Sequence, residues 1–270
     1  MYTTPLVDYH THTTYSTDGY SSMKDMVATA AALGISQIAV TDHYDPDYPS
    51  DDWGEGFSLI EYQNGMEIIK EEFKDRIRLI KGLEVGIQHG STMDKCRQVV
   101  RGYDYDFIIG SFHCAEGFEL SCGSFFKDRS VENATAAFYK YVYDCLRDYK
   151  DYDVLGHINV IDRYGSYIPF YGDELMDIIR EVLKRIIEDG KGIEINTSSF
   201  RYDMGDHTVP SQGILQLYHE LGGEIVTVGS DAHAVRDVGF GIQWAYDKLR
   251  SVGFRYLTTF CQRKPSFVKL

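Results

Sequence analysis

The sequence predicts an α/β fold in which strands and helices alternate about seven times and close into a distorted barrel. Short apolar strand segments alternate with amphipathic helical segments through most of the 270 residues. That pattern is typical of parallel strands joined by crossover helices. His, Asp and Glu residues follow most of the strands, and the C-terminal strand ends converge on one rim in a barrel. The alternative is an open doubly wound sheet, whose outer strands would lie too far apart to share one site.

The first half of the chain contains four predicted strand–helix pairs. Strands are expected at 6–9, 35–41, 77–85 and 107–111, and helices at 21–33, 59–73, 93–100 and 131–149. Ser21 or Ser22 can cap the first helix, and Gly34 ends it. Residues 114–129, which contain Gly and Cys, form an insertion over the end of the fourth strand.

The second half continues the same alternation. Strands are expected at 154–155, 192–197 and 225–229, helices at 173–188, 211–221 and 240–252, and a candidate last strand at 254–260. No Pro-, Ser- or Gly-rich linker divides the chain, and no repeat is visible beyond the βα unit. We therefore expect one domain over residues 1–270.

Composition excludes several classes of protein. Hydrophobic residues make up 43% and charged residues 25%, as in ordinary globular proteins. The formal net charge of −14, without a basic stripe, argues against long nucleic acid as a partner. We expect no membrane span, because no apolar run is long enough, and no secretion, because residues 1–5 lack a signal pattern. Five scattered cysteines without a CxxC pair favour a reduced, cytoplasmic compartment.

Ionisable side chains are concentrated at the predicted strand ends. Six of the nine histidines lie there, together with Glu84 and Asp231: His10, His12, His43, His113, His157 and His233. In both His10/His12 and Asp231/His233 the i, i+2 spacing on extended chain places two donors on one face, which suits a metal chelate. A single histidine at a strand end is usually an ordinary core residue, but the clustering favours a polynuclear metal site. Asp18 precedes Gly19 and by itself suggests only an Asp-Gly turn.

Six short motifs, in this order, resemble those of the polymerase-and-histidinol-phosphatase (PHP) superfamily. They are His10-Thr11-His12, Thr41-Asp42-His43, Gly82-Leu83-Glu84, Ser111-Phe112-His113, Gly156-His157 and Gly229-Ser230-Asp231-Ala232-His233. The resemblance runs from Tyr9 to His233 and implies a TIM-like distorted (β/α)7 barrel that holds three metal ions. The length and the absence of a polymerase region are similar to the stand-alone histidinol-phosphate phosphatases of that superfamily.

The resemblance also implies how the ligands divide among three sites. The first metal site would use His10, His12, Glu84 and Asp231; the second would use Glu84 as a bridge with His113 and His157; the third would use Asp18, His43 and His233. Many members of the family carry a His where this chain has Asp18. A carboxylate oxygen is a harder metal ligand, in the hard–soft acid–base sense, than an imidazole nitrogen. Manganese or iron therefore compete with zinc as the expected divalent ions. Asn196, at another strand end, is expected only to support the site.

A metal cluster on a barrel rim predicts hydrolysis of a phosphate ester, because a hydroxide shared by two cations can attack phosphorus in line. Arginine is the usual bidentate partner of phosphate. Arg163 follows His157 and Arg201 follows Asn196, so both are expected to bind the phosphate of the substrate. The predicted catalytic set is therefore Glu84, Asp231, His233, Arg163 and Arg201.

The expected substrate is a small phosphate monoester, with histidinol phosphate and a role in histidine biosynthesis as the main hypothesis. Its ammonium and imidazole groups should meet acidic and aromatic residues, which segments 44–55 and 114–129 both offer. A protein-tyrosine phosphatase or a nucleotide or oligonucleotide phosphoesterase of the same superfamily is the alternative. A non-catalytic metal-binding module is disfavoured, because structural metal sites are closed and usually rich in Cys. The sequence does not predict the oligomeric state.

Overall fold

The computed structural model of the chain describes residues 4–50, 56–165, 172–202, 204 and 210–270. The strands are β1 (Val7–Asp8), β2 (Gln37–Val40), β3 (His43–Tyr44), β4 (Arg78–Gly86), β5 (Phe107–Ser111), β6 (Cys114–Ala115), β7 (Phe118–Glu119), β8 (Val154–Leu155), β9 (Gly192–Asn196), β10 (Val226–Gly229), β11 (Tyr256–Cys261) and β12 (Lys264–Lys269). The helices are α1 (Met23–Ala32), α2 (Leu59–Phe73), α3 (Ser91–Gly102), α4 (Val131–Asp148), α5 (Ile161–Tyr164), α6 (Asp173–Glu188), α7 (Gln212–Glu220) and α8 (Ile242–Val252).

Seven parallel strands form the barrel in the order β1-β2-β4-β5-β8-β9-β10. The short strand β3 continues the direction of β2 and pairs with the upper half of β4, so that His43 lies beside Glu84. The barrel closes between its first and last strands. The Tyr9 amide donates to the Val228 carbonyl at 2.9 Å, and the Asp231 amide donates to the His10 carbonyl at 2.8 Å. The predicted (β/α)7 barrel is thereby confirmed.

Local sequence explains where most helices begin and which face they bury. Ser22, Ser58 and Ser130 each accept a hydrogen bond from the third backbone amide after them, and so cap α1, α2 and α4. The strands pack under these helices on one face and into the barrel on the other. Every residue of β4 except Arg78 is consequently buried, which is why the barrel strands appear in the sequence as nearly continuous apolar runs.

The observed elements differ from the predicted ones mainly at the periphery. The predicted bounds of α2, α6, β5 and β8 match the structure, and the other predicted elements differ by one or two residues at one or both ends. Segment 114–129 contains the β6–β7 hairpin and a short 3-10 helix, which were not predicted. Helix α5 and strand β12 were also missed. The sequence of β12, Lys-Pro-Ser-Phe-Val-Lys, is mostly exposed and therefore lacks the apolar pattern of a buried strand.

Strands β11 and β12 form an antiparallel hairpin under the floor of the barrel, at the end opposite to the histidines. Tyr9 accepts a hydrogen bond from the Phe260 amide at 2.9 Å, and the hairpin turn pairs Arg263 with Asp153. The last predicted strand is therefore half of a closing hairpin and not an eighth barrel strand. No described helix is long and apolar enough to cross a membrane.

Candidate metal centre

The barrel brings all nine sequence-predicted ligand residues to its C-terminal rim. They come from strand ends or the loops that directly follow them: His10, His12 and Asp18 after β1, His43 in β3, Glu84 in β4, His113 after β5, His157 after β8, and Asp231 and His233 after β10. Glu84 lies at the centre of the cluster and is fully buried. Its two carboxylate oxygens face different groups of histidines.

The first group lies on one side of Glu84. His10 Nε2 is 3.2 Å and His12 Nε2 is 3.5 Å from Glu84 Oε2. The same two nitrogens are 3.7 and 3.4 Å from Asp231 Oδ1. Four donor atoms from three strand ends therefore surround one point.

The second group faces the other oxygen of the same carboxylate. His157 Nε2 is 3.0 Å and His113 Nε2 is 3.4 Å from Glu84 Oε1. Ser111 also donates to this oxygen, at 2.5 Å. Because the two groups use different oxygens of Glu84, this side chain has the geometry of a bridging carboxylate.

The third group is formed by Asp18, His43 and His233. His233 Nε2 is 3.2 Å from Asp18 Oδ2, and His43 Nε2 is 3.8 Å from Asp18 Oδ1. The Asp-Gly turn expected at Asp18 is therefore also the element that carries its carboxylate into the cluster. A Cβ atom on Gly19 would lie 1.8 Å from the Thr13 carbonyl oxygen, so only glycine fits this tight loop.

The separations of the donor atoms are close to those that a divalent ion requires. Two ligands each about 2.1 Å from one ion lie about 3.0–3.4 Å apart for octahedral or tetrahedral geometry. The donor separations in the first and second groups are between 3.0 and 3.7 Å. His10 Nε2 and His12 Nε2 are buried and make no hydrogen bond to any described residue. Buried polar atoms normally have partners, so these nitrogens fit a metal ion.

The electrostatics of the cluster reflect this density of charged groups. Burial raises the pKa of Glu84, but His10, His43 and His113 outweigh it and hold that pKa well below its usual range. Burial lowers the pKa of His10, yet Glu194, Glu84 and Asp231 raise it well above its usual value. Burial together with His233 and His43 lowers the pKa of His12. For His233 the neighbouring Asp18 and Asp231 outweigh burial and raise the pKa to about 9.

Three groups behind the histidines were not predicted in that role, although Asp45 lies in the segment 44–55 that was expected to line the substrate pocket. Glu194 Oε1 lies 2.6 Å from His10 Nδ1, and Asp45 Oδ1 lies 2.7 Å from His113 Nδ1. Ser16 donates to Asp42 and can therefore accept from His12 Nδ1 at 3.1 Å. A signal for Glu194 does exist in the sequence: it stands within an apolar strand, two residues before Asn196, and so on the same strand face.

Two of the clustered residues have unusual backbone conformations. His157 has φ 23° and Asp231 has φ 55°, in the left-handed region that side chains other than glycine rarely adopt. Such strain persists only where the surroundings impose it, and it is concentrated at functional sites. Asp231 is further held by Ser198 and Asn196, which donate to its Oδ2 at 3.1 and 3.2 Å.

A cavity of about 220 Å³ opens onto the cluster. Besides six of the clustered residues it is lined by Tyr48, Ser121, Arg163, Tyr164 and Tyr202. Arg163 stacks on the Tyr202 ring at 4.0 Å and donates to Ser198 at 2.8 Å, with its side chain only 6% exposed. Its guanidinium is thus fixed beside the donor atoms. Tyr48 and Ser121 come from the two segments expected to line the substrate pocket, whereas residues 51–55 of the first segment lie outside the described residues.

Arg201 has a different environment. Its Nη2 donates to the carbonyl oxygens of Ser230 and Asp231 at 2.8 and 2.7 Å, so it braces the backbone that carries Asp231. Among the described residues that line the cavity, Arg163 is present and Arg201 is not. The phosphate contact expected of Arg201 stays a prediction.

A parallel barrel whose strand ends hold a buried cluster of imidazoles and carboxylates defines a metal-binding α/β-barrel protein. The family can be specified further, because the model of the PHP domain matches residues 8–198. The chain belongs to the PHP domain family.

Two relatives extend the similarity beyond that domain. The chain is 29% identical to histidinol-phosphatase of Lactococcus lactis over 96% of this chain and 95% of the relative. It is 30% identical to a probable histidinol-phosphatase of Clostridium acetobutylicum over 87% and 89% of the two chains. The crystal structure of the Lactococcus lactis histidinol phosphate phosphatase, complexed with zinc, L-histidinol and phosphate, superposes with a TM-score of 0.87 at 28% identity and covers 97% of this chain and 98% of that one.

Proposed function

We propose that this protein is a metal-dependent phosphatase that hydrolyses L-histidinol phosphate to L-histidinol and phosphate, a step of histidine biosynthesis. The observation that carries the proposal is the arrangement of three donor groups around Glu84, beside a cavity that Arg163 lines. A structural metal site is closed, whereas this cluster of metal-binding side chains lies at an open rim beside the fixed guanidinium of Arg163. The arrangement therefore suits hydrolysis of a phosphate ester better than a structural role.

The three groups are proposed to hold three divalent ions, with zinc, manganese and iron as candidates. His10, His12, Glu84 and Asp231 would hold the first ion, and His113 and His157 would hold the second with Glu84 as the bridge. Asp18, His43 and His233 would hold the third. Bound there, such ions supply positive charge for phosphate oxygens and an activated water as the nucleophile.

The remaining residues are proposed to bind the phosphate group or to orient Asp231. Arg163, fixed by Tyr202 and Ser198, is proposed to donate to a phosphate oxygen and to stabilise the negative charge that develops during the reaction. Ser198 and Asn196 occupy Asp231 Oδ2, which leaves Oδ1 turned toward His10 and His12. Arg201 donates to the carbonyls of Ser230 and Asp231 and so helps to hold Asp231 in its left-handed conformation. We retain a phosphate contact of Arg201 as part of the proposal.

The substrate body is proposed to lie against the aromatic wall formed by Tyr48, Tyr164 and Tyr202. The choice of histidinol phosphate is supported by the similarity of the whole chain to the Lactococcus lactis enzyme, whose structure holds L-histidinol and phosphate. We also propose a reducing, cytoplasmic location, which the five cysteines support because all of them are free.

The experiment is a steady-state phosphate-release assay on the metal-reconstituted protein with histidinol phosphate, phosphotyrosine and a mononucleotide. We expect kcat/KM for histidinol phosphate to exceed the other two by at least about 100-fold, because groups placed for one substrate are left unpaired by another. His233→Ala should lose most of this activity. His219→Ala, which removes an exposed histidine of α7 outside the cluster, should keep it. Equal, weak rates on all three substrates would refute the histidinol phosphate assignment, and full activity of His233→Ala would refute the site.

A further inference from the structure

Glu194 is a buried carboxylate on the inner face of β9 that stands behind the proposed metal ligands. It is 0% exposed. The strands on either side provide glycines next to it: a Cβ atom on Gly229 would lie 2.6 Å from Glu194 Oε1, and one on Gly156 would lie 3.5 Å from Oε2. Gly229 therefore leaves space that this side chain fills, whereas a Cβ atom at Gly156 would be in ordinary contact with it.

The two oxygens of Glu194 bind donors that belong to two different metal sites. Oε1 accepts from His10 Nδ1 at 2.6 Å. Oε2 accepts from the backbone amide of His157 at 3.1 Å and from Asn196 Nδ2 at 3.3 Å. His10 belongs to the first group and His157 to the second, so one rigid side chain links both.

These contacts determine which ring nitrogen of His10 can bind a metal ion and where the ring of His157 lies. A hydrogen on His10 Nδ1 leaves Nε2 with its lone pair, and Nε2 is the atom that faces Glu84 and Asp231. The bond to the His157 amide helps to hold the backbone at φ 23°, which brings its ring within 3.0 Å of Glu84. Among the described residues, His10 is the only ion-pair partner of Glu194 within 4.0 Å. A buried carboxylate with so little charge compensation is costly for stability alone.

We propose that Glu194 is a positioning residue that orients His10 and the His157 backbone together and thereby couples the first and second metal sites. The inference rests on the metal assignment of the proposed function. Glu194 does not contact the third group, formed by Asp18, His43 and His233, so that site is independent of it.

The isosteric variant Glu194→Gln separates the two contacts, because an amide has one oxygen where the carboxylate has two. If the amide oxygen accepts from His10, the amide nitrogen meets the His157 N–H, and two donors face each other. If the amide is flipped, its nitrogen donates to His10 Nδ1, and the hydrogen of that ring moves to Nε2, where it blocks the metal position. Either orientation disturbs a ligand of one site directly, and the other site is affected because both share Glu84 as their bridging carboxylate.

The test measures the dissociation constants of zinc for the metal-free wild-type protein and for Glu194→Gln by competition with a chromophoric chelator. The number of bound ions is counted after gel filtration. We expect two of the three ions to bind about 10–100-fold more weakly in the variant, as for other partners of metal-bound histidines. The third ion should keep its wild-type affinity.

The matched control is Asp153→Asn, which also replaces a buried carboxylate by an amide. Asp153 lies at the opposite end of the barrel, where it binds the Ile108 amide and Arg263. This variant should lower the melting temperature of the metal-free protein and leave all zinc affinities unchanged. If Glu194→Gln does not fold, Glu194→Asp replaces it, because the shorter side chain keeps the charge but cannot reach both His10 and His157.

Unchanged zinc affinities in the Glu194 variant overturn the inference, as does weakening of one ion only or equal weakening of all three. The first of these results would leave Glu194 with a purely structural role. Failure of the wild-type protein to bind zinc, manganese or iron would instead contradict the proposed function on which the inference rests. The two failures are therefore distinguishable.

Discussion

Four of the six clustered histidines share one arrangement of their ring nitrogens. Nδ1 of His10, His12, His113 and His233 lies near an acceptor: Glu194, Ser16, Asp45 and the Asp231 carbonyl, respectively. The Nε2 atoms of His10, His12 and His113 face Glu84, and that of His233 faces Asp18. The outer partners thus select the tautomer that can bind a metal, which a bare histidine would populate only in part.

Arg163 is the residue whose removal should affect catalysis without affecting metal content. We expect Arg163→Ala to lower kcat/KM for the phosphate ester by about 10²–10³-fold, because a fixed donor to a developing oxyanion is lost. Metal bound per chain should stay at the wild-type value. The measurement combines phosphate release with elemental analysis of the same samples.

Arg147→Ala serves as the control for that prediction. Arg147 is an exposed arginine of α4 that pairs loosely with Asp144 at 3.8 Å, and its loss should change kcat/KM by less than about twofold, as expected of a weak surface ion pair. An Arg163→Ala protein with wild-type kcat/KM would show that phosphate binds without this guanidinium.

At the scale of elements, the site depends on how closely neighbouring strand ends approach each other. The barrel seam joins the segment after β1 to the segment after β10, and Gly229 lies at this seam. A Cβ atom at Gly229 would lie 2.3 Å from His10 Cβ and 3.0 Å from the His10 amide nitrogen. The absence of a side chain there allows His10 and Asp231 to approach the same point.

Gly229→Ala should therefore destabilise the protein. Overpacking of a buried site typically costs about 1–3 kcal/mol, which corresponds to a fall in Tm of about 2–4 °C per kcal/mol in a protein of this size class. The fall in Tm is measured by thermal unfolding of the metal-free protein, followed by circular dichroism. Gly213→Ala is the control, because a Cβ atom at Gly213 in α7 meets no atom within 4 Å, and its Tm should not fall. Equal Tm values for Gly229→Ala and the wild type would contradict the close packing at the seam.

At the scale of the whole molecule, the proposed ions would act as cross-links between strand ends that are far apart in sequence. The nine proposed ligands span residues 10 to 233 and leave from β1, β3, β4, β5, β8 and β10. Any ion that binds this arrangement and not the unfolded chain stabilises the fold by mass action. Metal content and thermal stability should therefore be linked.

Removal of metal should lower Tm. At an ion concentration about 100 times its dissociation constant, each site contributes about 2.7 kcal/mol, or about 5–10 °C in Tm for a chain of this size class. We expect the chelator-treated protein to unfold at a lower temperature and to recover when zinc or manganese is restored. The same chelator saturated with zinc beforehand should have no effect, because it has no free capacity to remove an ion. Identical Tm values with and without chelator would mean that the native fold holds no ion.

Sequence patterns and the family resemblance were enough to predict the alternation of the barrel elements and the nine residues that meet on its rim. The element order and eight of the nine residues follow from local rules: apolar strands alternate with amphipathic helices, and polar residues at strand ends such as His10 and Asp231 must share one edge of a parallel barrel. Even Asp18, which looked like a turn residue alone, was placed by resemblance of the motifs around it.

The groups that stand behind those residues, and the way the barrel is closed, follow from long-range packing and could not be predicted from the sequence. Glu194 and Asp45 contact histidines 184 and 68 residues away in sequence, and no local pattern encodes a pairing at that distance. Only one strand of the β11–β12 hairpin was predicted. Strand β12 is mostly exposed, and it is held by its pairing with β11 and not by an apolar pattern in its own sequence. Arg163 and Arg201 looked equivalent in the sequence, whereas packing turned one toward the cavity and the other onto the backbone of Asp231.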